Sequence, residues 1–180
     1  MLSILQTFSS AIHRLNEQVG KAASWLTTAL MLLVCVDVVI RYMFSDTQAW
    51  IIELEWHLFG LIFLLGAGYA FKHDRHVRVD VFYAKFSARD KAWVNLIGGL
   101  VFLLPWAAVL MVVAFEYATI AFQIGEESPD PGGLPARYLI KYAMGVGLGL
   151  LLLQGVASVM DSILVLSGRG KPDSSKPQNQ

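Results

Sequence analysis

The chain has 180 residues and a mass of 19.9 kDa, and 56% of its residues are hydrophobic whereas only 16% are charged. A mean hydropathy of +0.54 is high for a water-soluble domain, so the composition favours an integral membrane protein. The 14 basic residues balance the 14 acidic ones, which argues against a nucleic-acid partner, and the single Cys35 excludes an internal disulfide and a multi-cysteine metal site.

The first 21 residues have the pattern of an amphipathic helix that lies along a membrane surface. Apolar side chains recur at every third or fourth position, at Leu2, Leu5, Phe8, Ile12, Leu15 and Val19. Polar side chains fall between them, at Gln6, Ser9, His13, Asn16 and Glu17. We therefore predict an interfacial helix over residues 1–21. A soluble leader helix packed on another protein is the alternative.

Four apolar stretches follow, each long enough to cross a bilayer as a helix, which takes about 20 residues. They cover residues 22–44, 50–71, 92–115 and 142–166. Pro105 lies in the middle of the third, where a membrane helix tolerates a kink. The sequence thus predicts an all-α integral membrane fold, with one four-helix domain over residues 22–166. The remaining residues 167–180 are rich in Gly, Pro, Ser and Lys and predict a disordered cytoplasmic tail.

Lys and Arg are concentrated on one side of the predicted membrane. Eleven of the 14 lie before the first span, between the second and third spans, or in the tail. The positive-inside rule then places both termini in the cytoplasm and residues 116–140 in the periplasm. Arg75, Arg78 and Lys85 follow the second span and are candidates for contact with membrane lipids.

Motifs for catalysis or cofactor binding are missing from the sequence, which has no GxSxG, no HExxH and no glycine-rich phosphate loop. A b-type haem needs axial ligands on facing helices, and only His57 lies within a predicted span. His73 and His76 with Asp74 and Asp80 suggest a metal site, but a solvated basic loop beside the lipid is the favoured interpretation. We predict a protein that is not an enzyme and holds neither a metal nor a cofactor.

Five residues inside the spans are candidates for structural or subunit contacts. Asp37 and Arg41 are four residues apart, so they share a helix face and pair either with each other or with a partner helix. Gly145 and Gly149 have the GxxxG spacing that lets two helices approach closely, within the four helices or with another subunit. Trp106 lies at mid-span and is expected to be buried against protein.

Three stretches, in this order and spacing, resemble the small membrane subunit (DctQ-type, Q component) of tripartite ATP-independent periplasmic (TRAP) transporters. They are DVVIRYMF at residues 37–44, LGAGYAFKHDRHVRVDVFY at 65–83 and EESPDPGGLPARYLIK at 126–141. The resemblance implies a static scaffold for a large membrane subunit. That subunit imports an organic acid with sodium ions, and a periplasmic solute-binding protein captures the acid.

The resemblance also gives motif positions without assigning them chemistry: Arg41, Glu53, His76, Asp80, Glu126 and Pro129. The acidic, Pro- and Gly-rich loop before the fourth span is a candidate docking surface for the soluble partner, through Glu53, Glu126, Glu127 and Pro129. A purely structural turn is the alternative. For the function as a whole, the main alternative is a membrane anchor subunit of a redox enzyme complex, and a third is a small exporter that works alone.

Overall fold

The computed structural model describes residues 2–73, 83 and 86–168, and the secondary structure of that part is helical. Four helical stretches are long and apolar enough to cross a membrane: Ile4–Met43, Ala49–Lys72, Ala88–Gln123 and Tyr138–Leu166. The prediction of an all-α fold with four apolar helices is confirmed. Several predicted features lie outside the described residues, namely the tail from residue 169 onward and the side chains of Asp74, Arg75, His76, Arg78, Asp80 and Lys85.

The helices run up and down in one bundle. They are α1 (Leu2–Met43), α2 (Ala49–Lys72), α3 (Ala88–Gly98), a π-helical turn (Gly99–Leu103), α4 (Leu104–Gln123) and α5 (Tyr138–Leu166). Helix α5 contacts α1, α2, α3 and α4 and therefore lies at the centre. We call the end where α1 begins and α5 ends the terminal end. The opposite end, which carries the connections at residues 44–48 and 124–137, is the loop end.

Helix α1 joins the predicted N-terminal helix over residues 1–21 to the first apolar span. It continues without a break from Leu2 to Met43, a length of 42 residues. Gly20 lies at the expected turning point, but a Cβ there would overlap the Tyr69 ring of α2, so α1 packs closely on α2 at this position. The predicted position of residues 1–21 at the membrane surface stays a prediction, since a 42-residue helix is about twice as long as the bilayer core is thick.

The buried face of the first half of α1 is unexpected, because it contains polar residues. Ser9 is 2% exposed and Asn16 is 1% exposed, whereas Phe8 is 52% exposed and Leu15 is 41% exposed. Two positions of the predicted apolar stripe, Phe8 and Leu15, are therefore exposed, although Ile12 of the same stripe is buried. The polar Ser9 and Asn16 point into the bundle. Buried polar groups need hydrogen-bond partners, which the other helices supply, as described below.

The third membrane-spanning stretch is interrupted by the π-helical turn. The N–H of Leu104 donates to the carbonyl oxygen of Gly99, five residues back instead of four. The next residue, Pro105, has no N–H to donate, and its ring would clash with a carbonyl of the preceding turn in a regular α-helix. The wider turn accommodates the proline inside the span.

Glycines in the first half of α5 allow close contacts within the chain. A Cβ on Gly145 would lie 3.0 Å from the Phe115 ring of α4, and one on Gly147 would lie 2.6 Å from the carbonyl oxygen of Leu64 in α2. Gly149 is less tightly enclosed. Of the two roles that the sequence left open for Gly145, the structure shows the internal one.

Candidate functional site: polar clusters at the two ends of the bundle

Glu53 of α2 is the centre of a polar cluster at the loop end. Its side chain is buried, with the residue 3% exposed, and it meets three donors from the loop before α5. Oε1 accepts hydrogen bonds from Ser128 Oγ and from Arg137 Nη2, the latter at 3.0 Å, and Oε2 accepts from the Leu134 N–H at 2.5 Å. A carboxylate with three donors is well satisfied despite its burial, so Glu53 holds the loop against α2.

The loop around Glu53 is a defined turn structure. The Ser128 N–H donates to the Leu134 carbonyl at 3.2 Å, and the Gly133 N–H donates to the Asp130 carbonyl at 2.9 Å. A Cβ on Gly133 would lie 2.8 Å from Glu53 Oε2, so only glycine lets the loop backbone approach the carboxylate. These contacts fix residues 128–134 on the loop end of α2.

Glu126 and Lys141 form a second ion pair at the loop end. Lys141 Nζ also lies 3.9 Å from the centre of the Tyr117 ring, so the cation is shared between a carboxylate and an aromatic face. Because Glu126 belongs to the loop and Lys141 to α5, the pair ties the loop to the helix that follows it.

The structure divides the four predicted docking residues into two kinds. Glu53 and Glu126 are engaged within the chain, whereas Glu127 and Pro129 are exposed. The Glu53 carboxylate is buried under the loop and accepts hydrogen bonds from within the chain, and a docking role for Glu53 stays a prediction. A docking role for Glu127 and Pro129 stays a prediction.

The loop end carries an excess of negative charge. Its three basic residues are all paired within the chain, as Arg41–Asp37, Arg137–Glu53 and Lys141–Glu126. Five further carboxylates of the described part have no salt-bridge partner: Asp46, Glu55, Glu116, Glu127 and Asp130. Asp46, Glu116, Glu127 and Asp130 are exposed, so the described part of this face presents acidic groups without a counter-charge.

Asp37 and Arg41 form the pair that their spacing allows. Asp37 is 3% exposed, and one of its carboxylate oxygens accepts from Arg41 on the same helix, while Oδ1 is buried without a partner. Contact with another subunit stays a prediction for both residues. Trp106 is 64% exposed in the chain alone, so its burial against another subunit stays a prediction.

A second cluster, at the terminal end, joins α1 to α5. Asp161 accepts from Ser9 Oγ at 2.6 Å and contacts His13 Nε2 at 2.8 Å. Gln154 then connects His13 to Asn16: its Nε2 lies 3.0 Å from His13 Nδ1, and its Oε1 accepts from Asn16 Nδ2 at 3.1 Å. The five side chains form one continuous hydrogen-bonded chain.

Glu17 extends this cluster to α2. Its carboxylate meets Lys72 at 2.7 Å, His73 at 2.9 Å and Lys21 at 3.1 Å, and Lys72 also donates to the His13 carbonyl at 3.1 Å. Sequence analysis did not find this site. The row of polar residues within the amphipathic pattern of α1 is the signal that points to it, but periodicity alone predicts that such a row faces water.

Four long apolar helices with polar groups at both ends define a multi-pass membrane protein. A family model, for the DctQ component of tripartite ATP-independent periplasmic transporters, matches residues 30–164. The chain belongs to this family of inner-membrane transport components, as its resemblance implied. Among the described residues, no group of three or more His, Cys, Asp or Glu side chains is placed to hold a metal ion.

A curated relative is similar to the chain over a shorter region. The C4-dicarboxylate TRAP transporter small permease protein DctQ of Vibrio cholerae serotype O1 is 28% identical over 118 residues. That alignment covers 65% of this chain and 50% of the relative. The chain thus spans about half the length of the curated relative that it matches.

Proposed function

We propose that the chain is the small scaffold subunit of a sodium-coupled TRAP transporter that imports an organic acid. Its partners would be a large membrane subunit, which binds solute and sodium, and a periplasmic solute-binding protein. The family match over residues 30–164 carries this proposal. It favours transport over the alternative of an anchor for a redox enzyme.

The distribution of polar groups supports a scaffold role. The polar contacts of the described helices concentrate in the two end clusters around Glu53 and Glu17, where most charged groups are engaged with each other. A transport pathway needs converging polar groups or broken helices near the middle of the membrane to hold ions and an anionic solute. The interruption at Gly99–Leu103 packs on α5 through apolar side chains: a Cβ on Gly155 would lie 2.9 Å from Leu103 Cδ2.

The main prediction is that uptake requires this chain but is not performed by it alone. Liposomes with this chain, the large subunit and the binding protein should accumulate a labelled C4-dicarboxylate, the solute named for the Vibrio cholerae relative. Omitting this chain should reduce uptake to the background of empty liposomes. Replacing the inward sodium gradient by potassium should do the same. Uptake by this chain without the large subunit would refute the scaffold role.

We further propose that the loop end faces the periplasm and receives the binding protein, with both chain termini in the cytoplasm. The distribution of Lys and Arg supports this orientation. The docking surface is the exposed part of the loop, with Glu127, Pro129 and Asp130, which the buried Glu53 holds in place. Its unpaired carboxylates suit a partner surface that is rich in Lys and Arg.

Reversing the charge of this surface should weaken docking without unfolding the chain. Glu127→Lys with Asp130→Lys should raise the concentration of binding protein needed for half-maximal uptake by about tenfold or more, because steering by opposite charge is lost. The melting temperature should not change, since both side chains are exposed.

Glu116→Lys is the matched control, because it reverses an exposed carboxylate outside the loop. A cysteine at position 127, in a Cys35→Ser background, checks the orientation: an impermeant thiol reagent should label it in intact cells. Equal effects of the loop and control variants would argue against docking at the loop.

A further inference from the structure

Three side chains at the terminal end, Asn16, Gln154 and His13, form a chain of hydrogen bonds that we call the amide chain. We propose that it is a switch operated by protonation. When His13 gains a proton, the side-chain amides of Gln154 and Asn16 each rotate by half a turn, and donor and acceptor are exchanged in the hydrogen bonds that join the three side chains. The reversal carries the protonation state of a partly exposed histidine to a buried contact between α1 and α2. The proposal does not depend on the identity of the transported solute.

The direction of the amide chain follows from Asp161. A carboxylate only accepts, so His13 Nε2, at 2.8 Å, carries the hydrogen and donates to it. In a neutral imidazole the other nitrogen is then an acceptor, which suits Gln154 Nε2 at 3.0 Å. Gln154 Oε1 is left to accept from Asn16 Nδ2, at 3.1 Å. All donors point from Asn16 toward Asp161.

This arrangement leaves one buried atom without a partner. Asn16 is 1% exposed, and its Oδ1 accepts no hydrogen bond. The atom lies against Gly68 of α2, because a Cβ on Gly68 would overlap it and would also lie 3.2 Å from the carbonyl oxygen of Leu150 in α5. Two acceptors therefore border the same glycine, and Asn16 Oδ1 has no donor.

Protonation of His13 makes the present direction impossible. Both ring nitrogens of a charged histidine donate, so Nδ1–H would face the amino group of Gln154. Turning the Gln154 amide by half a rotation presents Oε1 to His13 and its amino group to Asn16. Asn16 then turns as well: Oδ1 accepts from Gln154, and Nδ2 points to the side of Gly68 that borders the Leu150 carbonyl.

The reversal needs little movement, because the oxygen and the amino group of an amide are nearly equal in size. It also gives Asn16 Oδ1, the atom that lacked a partner, a donor. The rotation of Asn16 breaks one weak hydrogen bond, from Asn16 Nδ2 to the Ile12 carbonyl at 3.4 Å. The two directions are thus closely balanced in number of hydrogen bonds, as a switch requires.

His13 is the partly exposed end of the amide chain, and Gln154 and Asn16 are its buried part. The side chains of His13 and Asp161 are 27% and 45% exposed, whereas Gln154 is 1% exposed. The other charged or titratable groups near His13 are Glu17 on α1 with Lys72 and His73 on α2, and Lys72 donates to the His13 carbonyl. Glu17 pairs with Lys72, and Asp161 accepts from His13 Nε2.

The test is a nitrogen NMR titration of the full chain in lipid nanodiscs, across the pH range in which histidine gains a proton. At high pH, His13 should show a protonated Nε2 and an unprotonated Nδ1. As the pH falls, the side-chain amide signals of Gln154 and Asn16 should shift with the same midpoint as the His13 ring. The amide of Asn95, which contacts Tyr83, should not follow that midpoint.

Gln154→Met removes the hydrogen bonds that join Gln154 to His13 and to Asn16, with little change in side-chain volume. In this variant His13 should still titrate, while the Asn16 amide signals should become independent of pH. A protonated Nδ1 with an unprotonated Nε2 at high pH would overturn the proposal. So would Asn16 signals in the wild-type chain that stay constant while His13 titrates, whether or not the variant folds.

Discussion

Glu53→Ala is expected to lower the melting temperature of the detergent-purified chain by on the order of 10 °C, because it removes the buried carboxylate that holds the loop. Three donors lose their acceptor at once: Ser128 Oγ, the Leu134 N–H and Arg137 Nη2. The Arg137 side chain, which is 25% exposed, is then left without its counter-charge. Removing one partner of a buried pair costs far more than the intact pair contributes.

The loop should also become accessible in Glu53→Ala, which limited proteolysis within residues 124–137 measures directly. Glu53→Gln should give a smaller loss, since the amide keeps an acceptor for the Leu134 N–H but not the charge that pairs with Arg137. Glu127→Ala is the control, because that exposed carboxylate has no salt-bridge partner in the described part of the chain. A Glu53→Ala chain as stable and as protease-resistant as Glu127→Ala would contradict this role.

Gly147→Leu is expected to prevent assembly of the bundle. Even the Cβ of an alanine at this position would lie 2.6 Å from the Leu64 carbonyl oxygen, a backbone atom that cannot turn aside. Gly147→Ala should therefore destabilise the chain by about 1–3 kcal/mol, the usual cost of overpacking. The larger leucine would force α5 away from α2 along the centre of the bundle.

Two glycines provide matched controls on the same pair of helices. Gly149→Ala places a Cβ 3.4 Å from the flexible Met111 side chain, and Gly66→Ala meets nothing within 4 Å. Both should leave the melting temperature unchanged or raise it, because alanine favours a helix more than glycine does. Size-exclusion chromatography and thermal unfolding of the four variants provide the comparison. A Gly147→Ala chain as stable as Gly149→Ala would show that α2 and α5 do not approach as described.

The sequence alone was sufficient for the class of protein and the number of spans. A bilayer requires about 20 apolar residues per helix and leaves no unpaired backbone in lipid, so length and hydropathy nearly determine where such helices lie. The order and spacing of DVVIRYMF and EESPDPGGLPARYLIK were specific enough to indicate the family, which the match over residues 30–164 then showed. The i to i+4 pair of Asp37 and Arg41 was also visible, because helix geometry places these residues together.

Tertiary structure decided what helical spacing leaves undetermined, namely which face of each helix meets another helix. The polar residues Ser9 and Asn16 were assigned to water, yet they are buried, because Asp161 and Gln154 lie opposite them on a helix more than 130 residues away. Glu53 is a docking candidate in the sequence, and only packing shows that the loop from Ser128 onward covers it. Periodicity describes one helix at a time, whereas burial of a polar group depends on partners that only packing brings within hydrogen-bonding distance.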